Sequence, residues 1–386
     1  MSHTAVVLTG GGARAAYQVG VLRAISDLYP DSHYPFDVIV GTSAGAINAA
    51  SLAGGGGIFR HSVSHLEQIW SQLSGDHVYH TGSWSIMRNM SGIARKLMSG
   101  SEQKQSLSLL NNAPLRALLE EQIDFEAIHE TIGNGDIRAL GLNACGYTTG
   151  QNICFFEGSE KIESWSGGQR AGSRARLSLD HVMASSAIPT LFKPVMINRE
   201  YFGDGVTRQI AHTSPAIRLG ADKVLVIGVG ANRNCDQPRP ERPGVPTFGQ
   251  IMSHVFNGLF LDTLDYDIER LYLTNQLVGM IPHEKRDKDG SSFKPVELLD
   301  ILPSEPLENI AERYMDGLPP ILRPLTGVPE DGNVAGASLA SYLLFDPRFS
   351  QELIKLGYRD AQARSIELDH FFSPGINQTQ PLASDC

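Results

Sequence analysis

Phe36-Asp37-Val38-Ile39-Val40-Gly41-Thr42-Ser43-Ala44-Gly45-Ala46 is the stretch on which the reading of this chain turns. Its β-branched apolar run predicts a buried strand. The run stops at Gly41, and Ala46 to Ala53 is small, apolar and helix-compatible. The order is strand, sharp turn, helix, with Ser43 at the apex of the turn. That order sets the serine hydroxyl at the carboxyl end of the strand, facing the first amides of the helix. Gly41 and Gly45 flank it at minus two and plus two, where a side chain would crowd so tight a bend. A nucleophile elbow fits these residues. A helix start capped by Thr42 or Ser43 fits them too, and the pentapeptide alone does not separate the two readings.

Upstream, Ala5-Val6-Val7-Leu8 reads as a first buried strand that runs into Gly10-Gly11-Gly12-Ala13-Arg14-Ala15. Val21, Leu22, Ile25 and Leu28 then recur at helical spacing. The first fifty residues are therefore β-α-β-α, the pattern of a parallel sheet with right-handed crossovers. The glycine run has two functional readings beside that of a plain turn. Gly10-x-Gly12-x-x-Ala15 fits a dinucleotide fingerprint, which also needs an acidic residue near the end of the second strand. Gly41-Thr42-Ser43 occupies that position, and Asp37 lies at the opposite end. The other reading is an oxyanion hole, in which consecutive unobstructed amides turn toward one point at a helix start. It explains both motifs at once, because neighbouring parallel strands deliver the loop and Ser43 to the same sheet edge.

The quadruple glycine Gly54 to Gly57 ends the nucleophile helix and opens an excursion over about 54–125. Within it His61 to Leu73 reads as a helix. His61/His65 and His77/His80 lack the acidic partner of a metalloprotease-type helix, so no metal is expected. Trp84 to Met98 places Ile86, Met90, Ile93 and Leu97 on one helical face, with Arg88, Arg95 and Lys96 toward the other. That face suits a lid meeting a lipid surface, or a cap packed on the core. The sheet resumes at Ile137 to Asn143 and Ile153 to Phe156 through a hairpin turn at Gly146 to Gly150. Glu157 to Arg176 reads as a mobile surface loop and Leu179 to Ala187 as a helix. Val195 to Phe202 reads as one strand ending in Gly203-Asp204-Gly205, and Val224 to Val229 as a central parallel strand. The Pro-rich run Pro238 to Pro246 divides a catalytic region, 1–232, from a mainly helical one, 247–386. A long helix through Phe260, Leu264, Ile268 and Leu271 follows it, and nothing in the last hundred residues signals chemistry.

Composition narrows the function classes. The 386 residues are 41% hydrophobic and 19% charged, as in globular proteins. A net charge of −10 without a Lys/Arg-rich tract argues against a nucleic-acid partner. The start of the chain does not read as a signal peptide, and no run approaches the ~18 apolar residues of a membrane span. Cys145, Cys154, Cys235 and Cys386 form no metal-type spacing and read as reduced thiols. The expected location is cytoplasmic, with peripheral membrane contact through 84–98.

A serine hydroxyl needs a base to take its proton. His212, His254, His283 and His370 come late enough in the chain for a triad, yet none sits in a glycine-flanked strand-end loop. Asp204 does, and it reaches the edge that holds Ser43 if its strand is parallel to the first two. A turn aspartate satisfying local amides is the plain alternative.

Together, Gly10-Gly11-Gly12-Ala13-Arg14, Gly41-Thr42-Ser43-Ala44-Gly45, Ala184-Ser185-Ser186-Ala187-Ile188-Pro189 and Asp204-Gly205-Val206 resemble the four ordered blocks of the patatin-like phospholipases. The resemblance spans roughly residues 5–230. It implies a three-layer α/β/α sandwich with a mostly parallel central sheet. It also implies hydrolysis of lipid acyl esters, of phospholipase A or lysophospholipase type, by a Ser–Asp dyad without metal or cofactor. By that match Ser43 is the nucleophile, Asp204 the base, and the loop Gly10, Gly11, Gly12, Ala13 and Arg14 the oxyanion hole. Arg14, a cation near a helix start, is expected to be held by a carboxylate or a substrate anion. The chain departs from the family pattern at Ala15 and Val206. Three alternatives stay open: a triad through His212, a dinucleotide-binding protein using the Gly10–Gly12 loop, and a lipid-binding protein without catalysis.

Overall fold

The computed structural model describes residues 2–30, 34–80, 108–231, 245, 248–282, 286, 294–320, 322–323 and 337–373. Both apolar runs form strands, β1 (Thr4–Leu8) and β2 (Val38–Thr42), which pair in parallel with Val6 opposite Ile39. Their apolar runs, Ala5 to Leu8 and Val38 to Val40, do not alternate with polar residues because both faces of the sheet are covered. Val6, Leu8 and Ile39 point into one core; Ala5, Val7, Val38 and Val40 point into another. Helices α1 (Ala16–Leu28), α2 (Ala44–Ala53) and α3 (Phe59–Gln72) close the first face. The result is the α/β/α sandwich expected from the sequence.

Downstream come a short turn of helix, α4 (Gly75–Val78), then α5 (Ala113–Gln122) and α6 (Phe125–Gly133). The sheet continues with β3 (Ala139–Gly146), parallel to β2, and β4 (Asn152–Gly158), antiparallel to β3 across the expected hairpin. The Glu157 to Arg176 stretch is not a loop: β5 (Trp165–Gly167) and β6 (Arg170–Arg174) extend the sheet beyond β4. Their polarity is that of an edge ribbon. Their attachment rests on Trp165 stacked on Phe156, with ring centroids 5.2 Å apart.

After α7 (Leu179–Ser185), the expected single strand is a tight hairpin, β7 (Val195–Ile197) and β8 (Glu200–Asp204), turning at Asn198 with φ 54°. Strand β8 is antiparallel to β3, hence opposite to β1 and β2, which corrects the parallel direction assumed for it. Asp204 still reaches the active edge because β8 enters from beyond it. It pairs only with the last residues of β3, leaving Asp204 opposite Ala144 and next to the end of β2.

Helix α8 (Ser214–Arg218) leads to β9 (Lys223–Ile227), a central parallel strand beside β1. The long helix expected next is present and continuous over 248–280, as α9 (Phe248–Asn257), a π-turn (Gly258–Asp262) and α10 (Thr263–Met280). Strand β10 (Glu297–Ile301) then joins the same sheet beyond β9, in parallel. Helices α11 (Leu307–Glu312), α12 (Ala337–Leu343), α13 (Pro347–Ala363) and α14 (Ser365–Phe372) follow. Helix α13 crosses α1 at Gly20 and Gly357, where a Cβ on either glycine would strike the other helix's backbone. Among the described residues no helix is long and apolar enough to cross a membrane. The 84–98 segment lies outside the described residues, as does nearly all of the Pro-rich run.

Candidate active site

The bend between β2 and α2 is as tight as its glycines require. Ser43 has φ 57° and ψ −128°, a conformation an L-residue holds only when its surroundings impose it. A Cβ on Gly41 would meet Ala46 Cα at 2.6 Å, and one on Gly45 would meet the Thr9 carbonyl at the same distance. Both positions are closed to any side chain. Three further bonds hold the bend. The Ser43 amide donates to Ser185 Oγ at 2.9 Å, Ser185 Oγ donates to the Asn143 carbonyl at 2.6 Å, and Ser186 Oγ donates to the Ser43 carbonyl at 3.2 Å. These two serines come from the end of α7, inside a sequence block that carried no assigned role.

Ser43 Oγ donates a hydrogen bond to Asp204 Oδ2 at 2.5 Å, with both residues almost fully buried. The other carboxylate oxygen, Oδ1, accepts the Val206 amide at 3.0 Å. Asn152 Nδ2, donating to the Gly205 carbonyl at 2.7 Å, fixes the turn behind the carboxylate. Burial pushes the Asp204 carboxyl up from 3.8 to about 7, against the opposing pull of the Ser43 and Val206 bonds. It is a stronger base than an exposed aspartate and is ionised only near and above neutrality.

The glycine loop lies directly against this pair. A Cβ on Gly10 would sit 3.0 Å from Ser43 Cβ and 3.0 Å from the Phe260 ring, which the π-turn places there. Val206, one of the departures from the family pattern, fills the space that such a Cβ would need. Gly12 has φ 54° and backs onto the Tyr342 carbonyl of α12. The Arg14 amide is engaged, donating to the Gly11 carbonyl at 3.1 Å, whereas its side chain turns away from Ser43. That side chain is buried beneath α11 and α12. Its Nε donates to Ser341 Oγ at 2.7 Å, its Nη2 to the Ser338 carbonyl at 3.2 Å and to Glu308 at 3.4 Å. The guanidinium lies 4.0 Å from the Tyr342 ring centroid. The carboxylate expected beside Arg14 is therefore Glu308, in a region whose sequence gave no sign of it.

His212 is also buried, but its Nε2 bonds Thr263 Oγ1 at 3.0 Å, and burial lowers its pKa to about 4. Its partner is thus on α10 and not in the Ser43–Asp204 pair. On the remaining side Ser43 opens on a narrow apolar slot of about 40 Å³, walled by Ile47, Trp70, Leu119, Ile188 and Phe192 among others.

A model of the family described as patatin-like phospholipase matches residues 6–216, more than half of the chain. This chain belongs to the patatin-like phospholipase family. The matched segment holds the glycine loop, Ser43, the 184–189 block and Asp204, and it ends before β9. Among curated proteins, the cGAMP-activated phospholipase of Escherichia coli (strain TW11681) is 27% identical over 208 residues, 51% of this chain and 50% of that protein. The chain thus aligns with about half the length of that relative. Among solved structures, VipD from Legionella pneumophila is 14% identical with a TM-score of 0.36, over 94% of this chain and 66% of that one. Human GIVD cytosolic phospholipase A2, in complex with methyl gamma-linolenyl fluorophosphonate, is 13% identical with a TM-score of 0.42, over 96% and 59%. Where this patatin-like chain extends past the matched segment, it adds the Arg14 pocket, the π-turn and strand β10.

Proposed function

We propose that this protein hydrolyses acyl esters of lipids, with Ser43 as nucleophile and Asp204 as its base. The observation that carries the reading is the buried 2.5 Å Ser43–Asp204 hydrogen bond at the mouth of an apolar slot. As Ser43 Oγ attacks the ester carbonyl, its proton passes to Asp204 Oδ2. The tetrahedral oxyanion is then met by amides of the glycine loop. The Thr9 amide is directed at the Ile227 carbonyl and that of Arg14 at Gly11, so the donors fall to the segment Gly10 to Ala13. Collapse returns the proton to the leaving alcohol. Water attacks the acyl-serine by the same route in reverse, with Asp204 again as base.

The acyl chain occupies the slot, whose walls offer almost no polar surface. Residues 1–232 form the catalytic region of this reading, and the 247–386 region completes it by enclosing Arg14. The dinucleotide reading is disfavoured because the glycine loop is packed against Ser43 and leaves the phosphate site no separate place. A fluorophosphonate probe with peptide mapping tests the proposal. Labelling is expected at Ser43 and absent in Ser43→Ala, together with a fall in ester turnover on the order of 10⁶. A wild-type protein that resists the probe and releases no fatty acid would leave a lipid-binding role instead.

A further inference from the structure

Behind the slot lies a set of buried polar side chains that the dyad does not use. Trp70 Nε1, in the wall of the slot, donates to Asn48 Oδ1 at 2.7 Å. Asn48 Nδ2 donates to Gln18 Oε1 at 2.9 Å and to the Ala15 carbonyl at 3.2 Å. Gln18 Nε2 donates to the Thr9 carbonyl at 2.9 Å and to the Ile227 carbonyl at 3.1 Å. Gln18 and Asn48 are wholly buried and Trp70 is 1% exposed. Both amide groups use both their N–H donors and their carbonyl oxygen. Two primary amides in an otherwise apolar core are costly unless so completely paired, and paired they fix one geometry.

The chain of bonds ends on both flanks of the catalytic loop. Thr9 precedes Gly10 and Ala15 follows Arg14, so Gln18 and Asn48 hold the two stems between which the loop amides are strung. Asn48 also lies on α2, the helix that Ser43 begins. The far end of the chain of bonds is Trp70 on α3, whose indole forms part of the slot. At about 40 Å³ the slot is much smaller than the ~150 Å³ that admits even a benzene ring. An acyl chain of several carbons that fills the slot presses on its wall, and Trp70 is the wall residue tied to Asn48.

We propose that Asn48 and Gln18 are positioning residues of the oxyanion loop and that, through Trp70, acyl-chain entry sets that loop for turnover. The inference rests on the acyl-hydrolase reading above. It makes chain length a determinant of kcat and not only of KM, because the filled slot acts on donors needed in the transition state.

The test is kinetic. Trp70→Phe keeps an aromatic wall and deletes the N–H. On p-nitrophenyl octanoate its kcat is expected to fall about tenfold or more with KM within about twofold, since small displacements of reacting groups are this costly. On p-nitrophenyl acetate, whose acyl group adds one methyl to the carbonyl and does not fill the slot, the loss of kcat should be several-fold smaller than on the octanoate. A raised octanoate KM at unchanged kcat would show Trp70 to be wall alone and overturn the proposal, as would equal losses on both esters. Gln18→Met gives a second reading should the first variant not fold. It removes both carbonyl anchors and is expected to lower kcat on both esters at unchanged KM; an unchanged kcat overturns the positioning role. Wild-type protein inactive on both esters and unlabelled by the fluorophosphonate overturns the hydrolase reading with it. Active wild type with unaffected variants overturns the relay alone.

Discussion

Replacing Asp204 by Asn should make the protein more stable and inactive, by an amount that depends on pH. Unfolded, this carboxyl titrates near 3.8; folded, burial brings it to about 7. Between those values the native state keeps a proton that the unfolded chain has lost, so stability falls as pH rises across the window, and the full penalty stands above it. A shift of about three units at 1.36 kcal/mol each amounts to about 4 kcal/mol at pH 8.5, and about 2 kcal/mol at pH 5. Asn carries no such penalty and can keep the local bonds, with Oδ1 on the Val206 amide and Nδ2 donating to Ser43 Oγ. With an unfolding entropy of about 2.1 cal/mol/K per residue over the 386-residue chain, the variant should melt about 5 °C above wild type at pH 8.5 and about 2 °C above it at pH 5. Calorimetry at the two pH values, beside turnover of a soluble ester, measures both effects. Turnover should drop by about 10⁴ or more, because an amide cannot accept the serine proton. A shift in melting temperature equal at both pH values, or a variant less stable at pH 8.5, would refute a buried carboxyl ionising near neutrality.

Four further outcomes follow from the same geometry. Wild-type turnover should rise with pH through about 7, where Asp204 ionises, and a profile flat from pH 5 to 9 would exclude it as the base. Gly45→Ala should destabilise by about 1–3 kcal/mol in denaturant titration and abolish labelling of Ser43, because its Cβ lands on the Leu8 and Thr9 carbonyls. Arg14→Met should cost about 1–3 kcal/mol, since it removes the guanidinium's hydrogen bonds to Ser341 and the Ser338 carbonyl while leaving the partly exposed Glu308 to solvent. Glu308→Gln, whose parent residue is partly exposed, should cost much less in the same titration.

What the sequence disclosed and what it hid divide by range along the chain. The strand–turn–helix bend at Ser43 was legible because five consecutive residues set it, though they left its role open, and the β-α-β-α start because apolar period and glycines are local signals. Asp204 was legible as a residue but not in its approach. The direction of β8 is set by pairing with β3, some sixty residues away in the chain, and no local pattern encodes that. The β5–β6 ribbon was hidden by its polarity, since one Trp165–Phe156 stack does the work of an apolar face. The π-turn inside the long helix was invisible to a 3.6-residue period, because it inserts its extra residue without proline or glycine pairs to announce it. The partners of Arg14 lie 294 to 327 positions downstream, where neither spacing nor composition connects them to the loop.

That last separation also sets an order of events during translation. The elbow, the loop and Asp204 have all emerged once residue 204 has left the ribosome. The guanidinium beside the loop, however, waits 327 residues for Ser341. At ~5–20 residues per second this is roughly 15–65 s of elongation. Through that interval a nascent chain carries Ser43 on an unfinished scaffold, with the Arg14 cation bare where α11 and α12 will later close. Closure of the Arg14 pocket is thus a late event relative to the emergence of Ser43 and Asp204, separated from them by the order of the chain itself.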